Sequence, residues 1–133
     1  RFEKDGEGVG ALEGPLDGLS AIASLAEEHQ IIMLQAAIEQ ALSGGEAIGD
    51  LYNAWRSGNQ SDLAAFILDP SQFHPAIHDA VLTKRNQAWI DPILAYLDTP
   101  EEEFIAVGAG HLIGPGDLIT LLKEAGVTAE RLH

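Results

Sequence analysis

A chain of 133 residues has the size of one domain, large enough to bury about 70% of the surface its unfolded form exposes. Seven basic against 21 acidic residues give a formal charge of −14, which repels phosphate backbones and anionic membrane surfaces and argues against a nucleic-acid partner. The lack of cysteine excludes disulfide staples, zinc–thiolate sites and thiol nucleophiles, and no run approaches the ~20 apolar residues of a membrane span, so a soluble chain is expected.

In chain order, residues 1–10 (RFEKDGEGVG) hold too little apolar material for a stable element and read as a tail or an edge strand. A helical layer is expected over 16–98. Leu19, Ile22, Ala23 and Ala26 share one helical face, with Ser20 as a candidate cap. Ile31, Leu34, Ile38 and Leu42 repeat at spacings of three and four until Gly44–Gly45. Ile48, Leu51 and Trp55 do the same up to Gly58. A short helix over Ser61 to Leu68 precedes a break at Asp69–Pro70. After Pro75 a longer helical pattern carries Ile77, Val81, Leu82, Trp89, Ile93 and Leu97. Pro92 lies inside it, and a proline there removes a backbone bond and clashes with the preceding turn, so a kink or restart is expected near Asp91.

The last third reads differently. Phe104 to Val107 is a short apolar run between charges and glycine, the pattern of a buried strand. Gly114-Pro115-Gly116-Asp117 suits a helix start, Leu118, Leu121, Leu122 and Ala125 give that helix a buried face, and VTAERL reads as a second strand. Strand, turn, helix, strand over 103–132 is a crossover unit of a parallel sheet. The expected fold class is therefore α+β with an α/β-like end: a mostly helical layer and a small, partly parallel sheet in a single domain.

Several residues are candidates for chemistry. His111 falls where ligands gather in crossover folds, beside a helix amino terminus that favours a neutral imidazole. It could equally fill a turn that glycine built. Gly108, Gly110 and Gly114 with Glu130 loosely match a dinucleotide-binding pattern, although the spacing departs from it. His74 and His78 are four apart, but Pro75 places His74 at a helix boundary and favours an exposed pair. Glu101, Glu102 and Glu103 read as a charged turn, and His29 and His133 have no evident partner. Arg85 and Asn86 interrupt an apolar-patterned helix with a guanidinium and an amide, suited either to a carboxylate or peptide carbonyl, or to a plain polar face.

Five pieces occur in an order that resembles the TraB/PrgY/GumN family, whose animal relatives are the Tiki proteases. They are GALEG (10–14), AWRSGN (54–59), RNQAWIDPI (85–93), FIAVGAGHLIG (104–114) and LLKEAGVTAERL (121–132). The resemblance implies a metal-dependent hydrolase or protease with a divalent cation of the manganese or cobalt type. Its ligands would be His111, in the second of the family's two Gly-x-x-His motifs, and Glu13. Arg85, Asn86 and Glu13 would be the catalytic residues around a peptide or protein substrate. Histidine and carboxylate ligands suit such cations, and a guanidinium or amide can face a developing oxyanion. The first Gly-x-x-His belongs to an amino-terminal half with no counterpart before Glu13, and Asn59 stands where an aspartate is usual. The chain is thus expected to be the carboxyl-terminal portion of such a domain, inactive alone, with no metal bound in this chain, and completed by the missing half or by self-association through sheet edges. Export to the periplasm, secretion or lipid anchoring is implied by the resemblance alone. A non-catalytic peptide or small-ligand binding module and a dinucleotide-binding unit are the alternatives.

Overall fold

The computed structural model describes residues 8–42, 46–69 and 74–132. Its elements are α1 (Asp17–Ala23), α2 (Glu27–Leu42), α3 (Glu46–Ser57), α4 (Gln60–Ile67), α5 (Pro75–His78), a π-helical segment (Asp79–Thr83), α6 (Lys84–Leu97), a 3-10 turn (Ala109–Leu112) and α7 (Leu118–Glu124). No helix among the described residues is long and apolar enough to cross a membrane.

Local chemistry explains most of the boundaries. The Asn59 side chain accepts from the backbone N–H groups of Ser61 and Asp62 and so caps α4, a role in which asparagine and aspartate are interchangeable. His74 caps α5 through Nδ1, with Pro75 in the first turn. Asp117 caps α7 by accepting from Thr120 N–H, and Pro115 lies before that cap rather than in the helix. Gly58 and Gly126 close α3 and α7 with φ of 68° and 89°, a left-handed conformation that costs glycine nothing. Ser20 caps nothing: α1 begins at Asp17, whose carboxylate accepts from Gly14 N–H at 2.7 Å. The end of α2 at Gly44–Gly45 lies outside the described residues.

The expectation of an α+β fold with a terminal sheet is overturned, because no strand forms among the described residues. Residues 102–108 are extended and do alternate, with Ile105 and Val107 packed inward while Phe104 and Ala106 face out. An extended run becomes a strand only beside a second backbone that can pair with it. None lies alongside: residues 127–132 are irregular, contributing Val127 to the core and an Arg131 N–H to the Gly58 carbonyl. Residues 8–10 are exposed and unpaired with any strand, and the rest of that expected tail lies outside the described residues. Among the described residues the anticipated sheet edges are therefore not formed.

The long helix also departs from expectation. Pro92 sits within α6 without any restart, and α5, the π segment and α6 run continuously from Pro75 to Leu97. The irregularity is the π segment one turn before Arg85 and Asn86, and such bulges frequently mark functional positions. Trp89 and Ile93 of α6 and Leu118 and Leu122 of α7 form the buried core, with Leu12, Ile90, Ile105, Val107 and Val127 packed around it. The helices of 16–46 contribute little to it. Leu19, Ile31, Leu34, Ile38, Leu42, Ile48 and Trp55 were expected to point inward, but all are exposed.

Candidate functional site

The core helix α6 presents Arg85, Asn86 and Trp89 on one face, and two irregular segments close over them. Residues 11–14 form the first, anchored by Leu12 in the core and by the Gly14–Asp17 turn. The second runs from Gly108 to Asp117 and holds His111 in its 3-10 turn. The expected strand-then-turn setting of His111 is therefore replaced by a single helical turn after an extended run, and that turn delivers the side chain to the same place.

Glu13 and Arg85 are held together by two parallel bonds: Arg85 Nε donates to Glu13 Oε2 at 2.9 Å and Nη2 to Oε1 at 2.6 Å. Arg85 Nη1 donates back to the Val81 carbonyl at 2.8 Å, which fixes the guanidinium plane. Its carbon lies 5.3 Å from the centre of the Trp89 ring, a cation–π distance. Gly18 of α1 faces the same guanidinium. The charge-assisted bonds from Arg85 hold the Glu13 carboxyl below its usual range despite partial burial, with smaller help from the Trp89 indole N–H. Arg85 is correspondingly raised, first by its bonds to Glu13.

Asn86, 1% exposed, ties the second segment to the helix. Its amide nitrogen donates to the His111 carbonyl at 3.3 Å and to the Gly116 carbonyl at 2.8 Å. Both N–H groups are thereby spent, so Asn86 Oδ1 must be an acceptor where it meets His111 Nδ1 at 2.6 Å. The proton of the neutral imidazole is therefore on Nδ1, and Nε2 carries the lone pair. The His111 ring packs against Trp89 with ring centroids 4.5 Å apart and the planes tilted by 41°. Burial first, and the Arg85 charge second, push its pKa below the ordinary value, with Glu13 opposing. Gly116 is required at its position: φ is 69°, and a Cβ there would lie 2.6 Å from Thr83 Cγ2.

All four sequence candidates, Glu13, Arg85, Asn86 and His111, thus meet in one cluster. Sequence reasoning missed Trp89, which touches both Arg85 and His111. Its position four residues after Arg85 on a helix was the available signal. His74 and His78 do not form the exposed pair that was expected. His74 caps α5 and packs against His29 with ring centres 4.3 Å apart and planes tilted by 45°, whereas His78 is buried with Nδ1 3.4 Å from Thr83 Oγ1. Glu101, Glu102 and Glu103 remain exposed.

The cluster is a poor cation site as it stands. Its donors toward a metal are His111 Nε2 and a Glu13 carboxylate already engaged twice by a guanidinium. Among the described residues no three histidine or acidic side chains are grouped to hold an ion. A divalent cation would have to displace or share Glu13 beside the positive Arg85, so the residues present do not fit it.

The titration shifts make stability fall on acidification in two stages. The unfolded chain binds protons at His111 and His78 more readily than the folded chain, because burial depresses both folded values. Stability is full above the ordinary histidine value of about 6.5 and falls as pH drops below it. Glu13, also depressed when folded, adds a second loss as pH falls below its ordinary 4.5. Urea midpoints measured across this range should decline in both windows, and His111→Gln should shrink the upper one. A midpoint that rises on acidification from neutral pH would contradict these shifts.

Neither curated proteins nor solved structures give a match to the chain. A family model described as TraB/PrgY/gumN family matches residues 1–131, nearly the whole length and every residue of the cluster. The chain belongs to the TraB/PrgY/GumN family.

Proposed function

We propose that Glu13, Arg85, Asn86 and His111 are the acid–base and electrostatic part of a hydrolytic site acting on peptide or protein substrates, as the family resemblance implies. The observation that supports this reading is the neutral, tethered imidazole: Asn86 fixes its tautomer and leaves Nε2 as a base. His111 takes the proton from an attacking water. Arg85 faces the developing oxyanion with the two of its five N–H groups that Glu13 and Val81 leave over. Asn86 does not share that role, because its donors are committed to backbone carbonyls. It is a positioning residue.

No step is assigned to a manganese- or cobalt-type cation, since two donors, one of them tied to Arg85, fall short of a site. We infer, as the resemblance implies, that this chain is inactive alone and that groups from outside the described residues complete the site. Hydrolysis of ester and peptide substrates is compared in this chain and in the full-length gene product, each with and without manganese. Turnover in the longer protein that drops at least ~100-fold in His111→Gln supports the proposal. Turnover indifferent to that change contradicts it.

The saturation of Glu13 by Arg85 also favours a second reading, a non-catalytic binding module in which the same cluster captures a peptide or small ligand. Peptide binding by the full-length protein without turnover would select it. The dinucleotide reading is not carried forward, because the strand that its glycines should follow is not formed.

A further inference from the structure

Arg85 and Trp89 form a carboxylate receptor that the chain builds without help from the carboxylate it now holds. Both side chains stand on α6, one turn apart. Arg85 Nη1 is tied to the Val81 carbonyl at 2.8 Å, and the guanidinium lies 5.3 Å from the centre of the Trp89 ring. Trp89 is itself fixed in the core. The Nε–Nη2 edge therefore keeps its direction whatever sits opposite, and the Trp89 indole N–H adds a third donor toward the same carboxyl group. A planar fork of this kind matches a carboxylate with two parallel bonds. The present occupant is held less firmly. Glu13 belongs to an irregular segment whose residues 8–11 and 14–16 are exposed, secured beyond the fork mainly by Leu12 and the Gly14–Asp17 turn. The pair also reaches solvent, with the Arg85 side chain 21% and that of Glu13 26% exposed, whereas the neighbouring Asn86 is closed off.

We propose that the Arg85–Trp89 fork binds the free C-terminal carboxylate of a peptide, and that Glu13 is an intramolecular stand-in which such a ligand displaces. Exchanging one carboxylate for another keeps the charge-assisted bonds of the fork, so displacement has to free only the irregular segment around Glu13. A C-terminal amide cannot take its place, because it offers one neutral oxygen to a fork that presents two donors. A peptide terminus, unlike a small free anion, also brings a backbone to His111, which packs on the same Trp89 ring. This substrate class rests on reading the cluster as a peptide site, but the binding step needs no turnover.

Isothermal titration of the intact chain compares an N-acetylated tripeptide bearing a free carboxylate, the same tripeptide amidated, and acetate. The free acid should bind at least ~10-fold more tightly than either of the others. The formal charge of −14 favours the neutral amide, so a preference for the acid reports the fork. Glu13→Gln removes the tethered competitor and should tighten binding of the acid at least ~10-fold. Arg85→Lys keeps the charge without the fork and should lose the selectivity. Melting curves establish that both variants fold, and in the native chain the Glu13 carboxyl carbon-13 signal should shift on adding the free acid. Equal binding of acid and amide, acetate as strong as the peptide, no tightening in Glu13→Gln, or an unmoved Glu13 signal would each overturn the proposal. Acid-selective binding without turnover in the full-length protein would support this site and count against hydrolysis, and turnover without acid selectivity would do the reverse.

Discussion

Replacing Asn86 by alanine is expected to lower stability by about 3–5 kcal/mol, a drop in melting temperature on the order of 10–20 °C. The side chain is buried and makes three hydrogen bonds across 25 and 30 residues of sequence. Truncation strands two carbonyls and an imidazole N–H in a buried site. Aspartate, nearly the same shape, should be no rescue: a carboxylate cannot donate to the carbonyls of His111 and Gly116. Thermal and urea unfolding of Asn86→Ala and Asn86→Asp checks this, and a cost below about 1 kcal/mol for either would show that Asn86 does not hold the loop.

The second large effect is expected at Trp89. The ring is 5% exposed, anchors the core with Ile93, Leu118 and Leu122, and packs against both Arg85 and His111. Trp89→Ala should cost about 3–5 kcal/mol through lost burial and the cavity left behind. It should also bring the His111 pKa back up, because burial is the first cause of its depression. Urea unfolding measures the first consequence and an NMR titration of His111 the second. A stability loss with no change at His111 would separate the core from the site.

The sequence made the site more legible than the fold. Glycine and proline breaks marked α3, α4 and α7 because those signals act locally. The convergence of Glu13, Arg85, Asn86 and His111 was readable from motif order. The missing sheet was not, since the alternation at Phe104 to Val107 is real but strand pairing depends on a neighbour no local pattern reports. Periodicity likewise identified α2 as a helix without saying which side its aliphatic row faces. The saturation of Asn86, which turns an expected oxyanion donor into a positioning residue, depends on distances that only the folded chain supplies.

The central claim is that Asn86 and burial keep His111 neutral, with its proton on Nδ1 and a basic Nε2. Nitrogen-15 NMR of the imidazole, followed through a pH titration, tests it most directly. The expected result is a protonated Nδ1 and an unprotonated Nε2 at neutral pH, with titration below the usual histidine value. A proton on Nε2 in the neutral form, or titration at or above that value, would contradict the account.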